Sequence, residues 1–210
     1  MEVGGDIYDI SELKPQYYRI LLADATGHGV QAALGTMIIK SEYDKIKLFE
    51  LSPGYIIKTF NNTFIKNYEN INVYFTCVIL DIDLENNKII YSAAGHPDQY
   101  IFNGKTVETF SKSGPMIGLI KDFHYESEIR DFLTDTKIIL FTDGVYEIFS
   151  ENNDEFGEQR LFGIINDYKS ENVNILIEKI MATVEKWVKN KKYDDDITLV
   201  LCERKFEQQP

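Results

Sequence analysis

The chain has few of the residues on which several classes of protein depend. Its 210 residues include two cysteines and three histidines, and 22 lysines and arginines stand against 34 acidic residues, a formal net charge of −12. That balance disfavours nucleic acid and anionic membranes as partners, because both bind to basic patches. Cys77 and Cys202 lie in apolar runs without metal-ligand or disulfide spacing, so we expect buried, reduced thiols.

The signals that take a chain into or across a membrane are also missing. No apolar run approaches the roughly 20 residues of a membrane-spanning helix, and no signal peptide precedes Gly4. We therefore expect a cytoplasmic protein with no membrane segment.

Familiar phosphate chemistries lack their signatures. There is no G-x-x-x-x-G-K-[ST] loop, which argues against a P-loop NTPase. A cysteine phosphatase requires an arginine at the place that Asp83 occupies after Cys77. Asp81-Ile82-Asp83 superficially suggests an aspartyl nucleophile, but the residues that follow it, 84–87, are typical of a hairpin turn.

The pattern of apolar residues predicts both strands and helices in a single domain over residues 1–210. Hydrophobic residues make up 44% of the chain, enough for a sizeable core. In the helix predicted after the first strand, the residues expected on or near the buried side are Ala32, Ala33, Leu34, Met37 and Ile38. Strands and helices come in runs rather than in strict β-α-β alternation, so we expect an α+β layered sandwich. The periodicity places strands at 18–24, 73–83, 88–93, 137–142 and 196–203, a hairpin at 100–107, and helices at 30–48, from 52 onwards and at 173–188.

What the chain does contain is a series of short motifs rich in aspartate and glycine. Most of them place an aspartate beside an apolar stretch. Carboxylates gathered at strand ends are the oxygen ligands that Mg²⁺ and Mn²⁺ prefer, so we predict a carboxylate-built metal enzyme. The motifs are Gly4-Gly5-Asp6, Asp24-Ala25-Thr26-Gly27-His28-Gly29, Ala94-Gly95-His96-Pro97, Thr142-Asp143-Gly144 and Asp194-Asp195-Asp196.

Taken singly, each aspartate has a plainer interpretation. Asp24 could cap the helix that follows it, and Asp143-Gly144 is an ordinary turn pair. Three adjacent carboxylates at 194–196 suit an exposed loop, and Asp6 with Asp9 could belong to a flexible N-terminus. The occurrence of several such sites in one chain favours the metal interpretation over these.

The three histidines differ in how strongly they suggest a functional role. His28 and His96 lie in glycine-flanked turns, where either could donate to a phosphate or act as an acid. A structural hydrogen bond is the alternative for His96. His124 lies in a polar connecting stretch and is expected at the surface.

The ordered motifs resemble those of the metal-dependent PPM (type 2C-like) serine/threonine protein phosphatases, in their bacterial SpoIIE/RsbU-like branch. The resemblance covers essentially the whole chain. It implies a four-layer αββα sandwich of two antiparallel sheets flanked by helices. The matching segments are Gly4-Gly5-Asp6-Ile7-Tyr8-Asp9, the stretch from Asp24 to Leu34, Ser92 to Pro97, Gly114 to Leu119, Phe141 to Glu147, Phe156 to Leu161, and Asp195 to Val200.

The resemblance also implies a site for two Mn²⁺ or Mg²⁺ ions. By position in the motifs, Asp24 would bridge the ions and the backbone carbonyl of Ala25 would be a further ligand. Asp143 and Asp195 would complete the shell of one ion, and Asp6 would reach the other directly or through water. The substrate-binding residues are not indicated.

The implied reaction is hydrolysis of phosphoserine or phosphothreonine on a protein by a metal-activated water. Asp24 would be central to catalysis, and His28 is a candidate proton donor beside the alternative of a metal-held water. In this branch the substrate would be an anti-sigma-factor antagonist domain. The competing hypotheses are a catalytically silent partner-binding module of the same fold and a hydrolase of small phosphoesters.

The chain departs from the family pattern in two places. The family has a strand before Gly4-Gly5-Asp6, where this sequence begins almost at once, so we expect the catalytic part of a longer protein with an upstream sensor domain or dimerising segment. Ser92-Ala93 also replaces the usual asparagine before Ala94-Gly95-His96.

Overall fold

The computed structural model of the protein describes residues 4–27, 30–68, 74–110, 113–189, 191–193 and 195–205, without the side chains of Val30 and Gln31. The chain divides into two compact units. The first comprises Met1–His96 and Phe110–Phe132, and the second comprises Pro97–Thr109 and Leu133–Pro210. Each unit contains one of the two sheets and two of the helices found in the described ranges.

The elements follow one another in runs of strands and of helices. A short 3-10 helix, Asp143–Val145, follows the ninth strand directly. In chain order the elements are β1 (Asp6–Lys14), β2 (Tyr17–Ala25), α1 (Val30–Asp44), α2 (Pro53–Tyr68), β3 (Phe75–Asp83), β4 (Lys88–Ala94), β5 (Tyr100–Phe102), β6 (Val107–Thr109), β7 (Ser113–Gly114), β8 (Glu128–Asp131), β9 (Lys137–Phe141), α3 (Glu158–Tyr168), α4 (Val173–Val188) and β10 (Leu199–Glu203).

The first unit is built on a six-stranded sheet. Its strand order is β1-β2-β3-β4-β7, with β8 also pairing with β4. Alternate residues of β2 and β3 pack with α1 and α2 in one apolar core, in which Phe60, Phe64 and Phe75 form close ring contacts. The other residues of these strands therefore point to the opposite face of the sheet.

The second unit is built on a four-stranded antiparallel sheet in the order β10-β9-β5-β6. All five residues of β9 are buried. Ile139 and Phe141 belong to a core with residues of α3 and α4, including Leu161, Ile180 and Val184. Helix α4 begins after Asn172, whose side-chain oxygen accepts hydrogen bonds from two backbone N–H groups of the first turn.

The observed elements confirm the predicted α+β class. The helix at 173–188 and the strands at 88–93 and 137–142 lie within about two residues of their predicted bounds. Every pairing of named strands is antiparallel except the short β4–β7 pair. Strand β10 begins at Leu199, later than predicted, and β1 and α3 were not predicted at all. No helix in the described ranges is long and apolar enough to cross a bilayer.

The prediction for the buried side of α1 was right for Ala32, which is buried, and for Ile38, which packs against the core, but wrong for Leu34 and Met37. The helix ends at Asp44, and Leu34 and Met37 are 56% and 66% exposed. Apolar residues occur on more than one side of this helix, so their spacing did not select a single buried face. The face turned towards the core carries Ala32, Ile39 and Tyr43, whose spacing of seven and four residues is helical.

Candidate functional site

In the first unit, Asp6, Asp24 and Thr76 form one row across β1, β2 and β3. Asp6 is the cross-strand partner of Asp24, and Asp24 is the partner of Thr76. Partners directly opposite on antiparallel strands have Cβ atoms about 4.5–5.5 Å apart and share a face. Because the neighbouring residues Ala23 and Ala25 belong to the core beneath the helices, the row lies on the opposite face. The structure thus brings Asp6 and Asp24 together.

Gly5 brings a third predicted ligand to the same place. A Cβ atom on Gly5 would lie 3.1 Å from the carbonyl oxygen of Ala25 and 3.3 Å from Oδ1 of Asp24. Both oxygens therefore converge on one point, which the glycine leaves open. The Ala25 N–H also donates to the Gly5 carbonyl at 3.0 Å, and this hydrogen bond fixes the two segments side by side.

A side chain of helix α1 holds Gly4 and Gly5 in place. The hydroxyl of Thr36 lies 3.0 Å from the Gly4 carbonyl and 3.1 Å from the Gly5 carbonyl. The first motif is therefore an ordered start to a strand, and the interpretation as a flexible N-terminus is wrong for residues 4–9. Sequence reasoning gave no role to Thr36, because a threonine inside an apolar helix carries no distinctive signal.

Asp9, the second acidic residue of the first motif, does not join the row. It lies an odd number of residues from Asp6 and so points to the other face of β1. There its carboxylate accepts from Lys40 and Lys47, both at 3.1 Å. Burial alone would raise the pKa of Asp9, but hydrogen bonds from Ser11 and these two lysines outweigh it and lower the pKa.

Asp24 is not a helix cap, since it belongs to β2 and α1 begins only at Val30. The turn between them starts with Thr26, whose N–H and hydroxyl both donate to the Tyr74 carbonyl at 3.0 and 2.9 Å. Gly27 then takes a positive φ of 103°, which glycine adopts readily. His28, the predicted proton donor, lies outside the described residues.

His96 extends the polar row of the first unit. It is 5% exposed, and its Nδ1 lies 2.7 Å from the hydroxyl oxygen of Thr76. The preceding Gly95 has a φ of 62°, and a Cβ atom there would lie 2.4 Å from Cγ of Met116. The structure therefore shows the structural hydrogen bond that was the alternative for His96. Thr76, the partner of His96 in this hydrogen bond, was not singled out from the sequence.

In the second unit, Asp143 and Asp195 are brought together at the end of β9. A Cβ atom on Gly144 would lie 1.9 Å from the Asp196 carbonyl oxygen and 3.6 Å from Cβ of Asp195. The segment at 195–196 therefore packs directly on Gly144, and only glycine permits this approach. Asp143-Gly144 is not an ordinary turn pair, since it opens the 3-10 helix Asp143–Val145.

Like charges make this pair of carboxylates electrostatically unfavourable. Burial raises the pKa of the Asp143 carboxyl above its ordinary value, and the negative charge of Asp195 raises it further. The pKa of nearby Glu147 is raised as well, by burial and then by the charges of Asp143, Glu155 and Asp195. A bound cation would favour the ionised forms and reverse the shifts.

Each unit thus offers two predicted carboxylate ligands. Within the described part of the chain, no group of three or more His, Cys, Asp or Glu side chains is placed to hold a metal ion. Mg²⁺ is usually held by one or two carboxylates and keeps several waters. The proposed donors, four carboxylates and one backbone carbonyl, are all oxygen ligands, which are the type that hard divalent cations bind.

The residues considered as covalent nucleophiles are not available for that role. Cys77 is completely buried, and burial raises the pKa of its thiol far above the ordinary value. Asp81 is also fully buried, and its two carboxylate oxygens each accept from Arg19 at 2.7 Å. Both findings agree with the sequence argument against covalent phosphatase chemistry.

A comparison with protein families decides where the chain belongs. Residues 14–205 match the family described as Stage II sporulation protein E (SpoIIE). The chain belongs to this family. The match includes Asp24, Ala25, Asp143 and Asp195 and begins after Asp6. It confirms the resemblance inferred from the motifs, and it runs through both compact units, although the single-domain interpretation of 1–210 remains a prediction.

Two curated relatives of this SpoIIE-family chain come from Bacillus subtilis (strain 168). It is 26% identical to Phosphoserine phosphatase RsbP over 97% of this chain and 50% of that protein. It is 25% identical to Phosphoserine phosphatase RsbU over 97% of this chain and 60% of that protein. The chain therefore spans only about half the length of the curated relatives it matches.

Solved structures of phosphatase domains share the fold. The SiaA-PP2C domain of Pseudomonas aeruginosa superposes with a TM-score of 0.82 at 21% identity, covering 96% of this chain and 81% of that one. RsbX in complex with magnesium gives a TM-score of 0.66 at 17% identity, covering 95% and 86%. These likenesses show a PP2C fold and confirm the predicted fold class.

Proposed function

We propose that this SpoIIE-family chain is a metal-dependent protein serine/threonine phosphatase. The observation that carries the proposal is the row of Asp6 and Asp24 on adjacent strands, with the Ala25 carbonyl and an Asp24 oxygen converging beside Gly5. Such an arrangement places three oxygen donors together at a sheet end, which is the chemistry that hard divalent cations require.

The proposed ligands are Asp6, Asp24 and the Ala25 carbonyl in the first unit, and Asp143 and Asp195 in the second. The ions would be two Mg²⁺ or Mn²⁺, and the magnesium complex of RsbX supports this choice for the fold. When bound, such ions supply a water of lowered pKa and neutralise phosphoryl oxygens.

The chain's own residues position the proposed ligands, and the two candidate covalent nucleophiles discussed above are buried. Gly5 and Thr36 fix the first strand against the Ala25 carbonyl, and Gly144 fixes the segment of Asp195. With Cys77 and Asp81 buried, the described residues leave water as the nucleophile best supported by the structure. His28 as the proton donor stays a prediction.

The proposed substrate is phosphoserine or phosphothreonine on a protein in bacterial signalling. The names of RsbP and RsbU, both phosphoserine phosphatases, support this class, and an anti-sigma-factor antagonist is the partner that the branch resemblance implies. A longer protein with an upstream sensor domain or dimerising segment accords with the share of those relatives that the chain spans. A cytoplasmic location remains part of the proposal.

The test is Mn²⁺-dependent hydrolysis of p-nitrophenyl phosphate and of a phosphoserine peptide by the wild-type chain, Asp24→Asn, Asp6→Asn and Asp9→Asn. Asp9→Asn is the matched control, because it removes a carboxylate from the same strand on the opposite face. We expect the activity of the wild-type chain to require Mn²⁺. The activity should be lost in Asp24→Asn and in Asp6→Asn, and it should be retained in the control Asp9→Asn.

Other outcomes would identify the alternatives. A wild-type chain that binds Mn²⁺ but hydrolyses neither compound would favour a catalytically silent binding module. Turnover of the small ester with none of the phosphopeptide would favour a hydrolase of small phosphoesters. Full activity in Asp24→Asn would overturn the metal site itself.

A further inference from the structure

Gln99 is a fully buried polar side chain just before β5. Its carboxamide oxygen accepts from the Phe141 N–H at 2.6 Å, and its Nε2 donates to the Phe141 carbonyl at 3.2 Å. Nε2 also donates to the Pro97 carbonyl at 2.8 Å. One side chain thus binds both polar groups of Phe141, the last residue of β9.

The Gln99 side chain replaces backbone pairing at the point where the hydrogen bonding between β5 and β9 ends. The pairing of β5 with β9 ends at Tyr100 and Ile139, although its register would place Asp98 opposite Phe141. A residue in a hydrogen-bonded antiparallel pair exchanges both an N–H and a C=O bond with its neighbour, and the Gln99 carboxamide supplies both.

Thr142, the residue that follows β9, is hydrogen-bonded to Thr198, which precedes β10. The Thr142 N–H donates to the Thr198 carbonyl at 3.1 Å, and the Thr142 hydroxyl oxygen accepts from the Thr198 N–H at the same distance. Asp143 follows at once and begins the 3-10 helix. The direction in which the Asp143 carboxylate leaves the sheet is therefore set by the peptides of Phe141 and Thr142.

We propose that Gln99 is a positioning residue for Asp143. By closing both hydrogen bonds with Phe141 it stops the end of β9 from fraying, so that the Asp143 carboxylate is held ready for a cation. The inference rests on the proposed function, in which Asp143 is a metal ligand. Glutamine suits the role because its carboxamide is both donor and acceptor, whereas methionine of similar length offers neither an N–H nor a strong acceptor.

The test compares direct Mn²⁺ binding, by isothermal titration calorimetry on the full chain, for wild type and Gln99→Met. Residues that orient a metal ligand typically change metal affinity by about 10–100-fold when mutated, and we expect a weakening in that range. The fitted dissociation constant, rather than turnover, is the readout.

The matched control is Asn61→Leu. Asn61 is also fully buried and makes the same kind of clamp, since its Nδ2 donates to the Ile120 carbonyl at 2.8 Å and its Oδ1 accepts from the Gly118 N–H at 2.9 Å. None of the proposed ligands lies in the loop it holds. We expect Asn61→Leu to lower thermal stability like Gln99→Met but to leave Mn²⁺ affinity unchanged.

The outcomes separate the two proposals. Absence of Mn²⁺ binding by the wild-type chain would overturn the proposed function. Wild-type binding with an unchanged constant in Gln99→Met, or an equal loss in Asn61→Leu, would overturn the positioning role alone. If Gln99→Met fails to fold, hydrogen exchange on the metal-free wild type decides. Slow exchange of the Phe141 amide supports the clamp, and exchange as fast as in an exposed loop contradicts it.

Discussion

Asp6, at the start of β1, is the direct cross-strand partner of Asp24, near the end of β2. Two carboxylates in this relationship repel one another, and like charges directly opposite destabilise a sheet by a few tenths of a kcal/mol up to about 1 kcal/mol. The sequence maintains this unfavourable pair at the point where Gly5 brings the Ala25 carbonyl alongside. A cation bound there converts the repulsion into attraction.

The first prediction concerns Asp24→Asn, which keeps the shape of the side chain and removes its charge. Loss of a direct ligand should reduce Mn²⁺-dependent turnover by more than the roughly 100-fold that loss of an outer-shell residue can cause. Without metal, the variant should be as stable as the wild type or more stable by up to about 1 kcal/mol, because the repulsion with Asp6 is gone. Urea unfolding in EDTA measures this difference, and a clear loss of stability would contradict it.

The second prediction concerns the metal itself. A ligand at about 100 times its dissociation constant stabilises the native state by about 2.7 kcal/mol, which in a chain of 150–250 residues raises Tm by roughly 5–10 °C. We therefore expect Mn²⁺ to raise the Tm of the wild-type chain and EDTA to reverse the rise. Asp143→Asn should show a smaller rise. An equal rise in Asp143→Asn would argue that Asp143 binds no ion.

How far the candidate site could be predicted from sequence depends on which signals are local. Asp24 and Asp143 follow apolar runs, and a glycine comes three residues after Asp24 and directly after Asp143, so sequence reasoning found them. Asp6 was found but not understood, because β1 was not recognised as a strand. Once β1 is known to be a strand, its alternation alone separates Asp6 from Asp9, which points to the two lysines on the other face.

Other contributions could not have been predicted. Thr76 meets His96 and stands opposite Asp24 only because β3 pairs with β2 in one particular register, and register depends on the whole sheet. Gln99 gains its role because the β5 ladder ends before reaching Phe141. The exposure of Leu34 in α1 could not be predicted either, because apolar residues alone do not indicate which face of the helix packs on the core.

The third prediction concerns Gly144→Ala. The added methyl group would lie 1.9 Å from the Asp196 carbonyl oxygen, so the backbone at 195–196 must move. Such overpacking costs about 1–3 kcal/mol, and displacement of Asp195 should weaken Mn²⁺ binding as well. Urea unfolding and calorimetric Mn²⁺ titration measure the two effects.

Gly163→Ala is the control for that change. Gly163 lies inside α3, and a Cβ atom there would have no neighbour within 4 Å. Replacing a glycine inside a helix by alanine stabilises by about 0.5–1 kcal/mol, and Mn²⁺ affinity should not change. Unaltered Mn²⁺ binding in Gly144→Ala would show that the position of Asp195 is not critical for the ion.

The last prediction concerns Asp81, the residue that resembles an aspartyl nucleophile in sequence. Its carboxylate accepts two hydrogen bonds from Arg19, whose guanidinium also donates to the carbonyls of Phe49 and Leu51 at 3.0 and 2.6 Å. Removing one partner of a buried ion pair costs about 3–5 kcal/mol, because the remaining charge is left uncompensated. Asp81→Asn should therefore lower stability strongly. Arg19→Met should cost a similar amount for the same reason.

Activity distinguishes this structural role from a chemical one. At a temperature where Asp81→Asn remains folded, its Mn²⁺-dependent kcat should equal that of the wild type. The Asp81 side chain is fully buried, and its hydrogen bonds to Arg19 and Tyr17 involve no proposed metal ligand. A folded Asp81→Asn without turnover would instead make Asp81 part of the reaction. In that case the hydrolytic mechanism proposed for the Asp6–Asp24 row would need a covalent step.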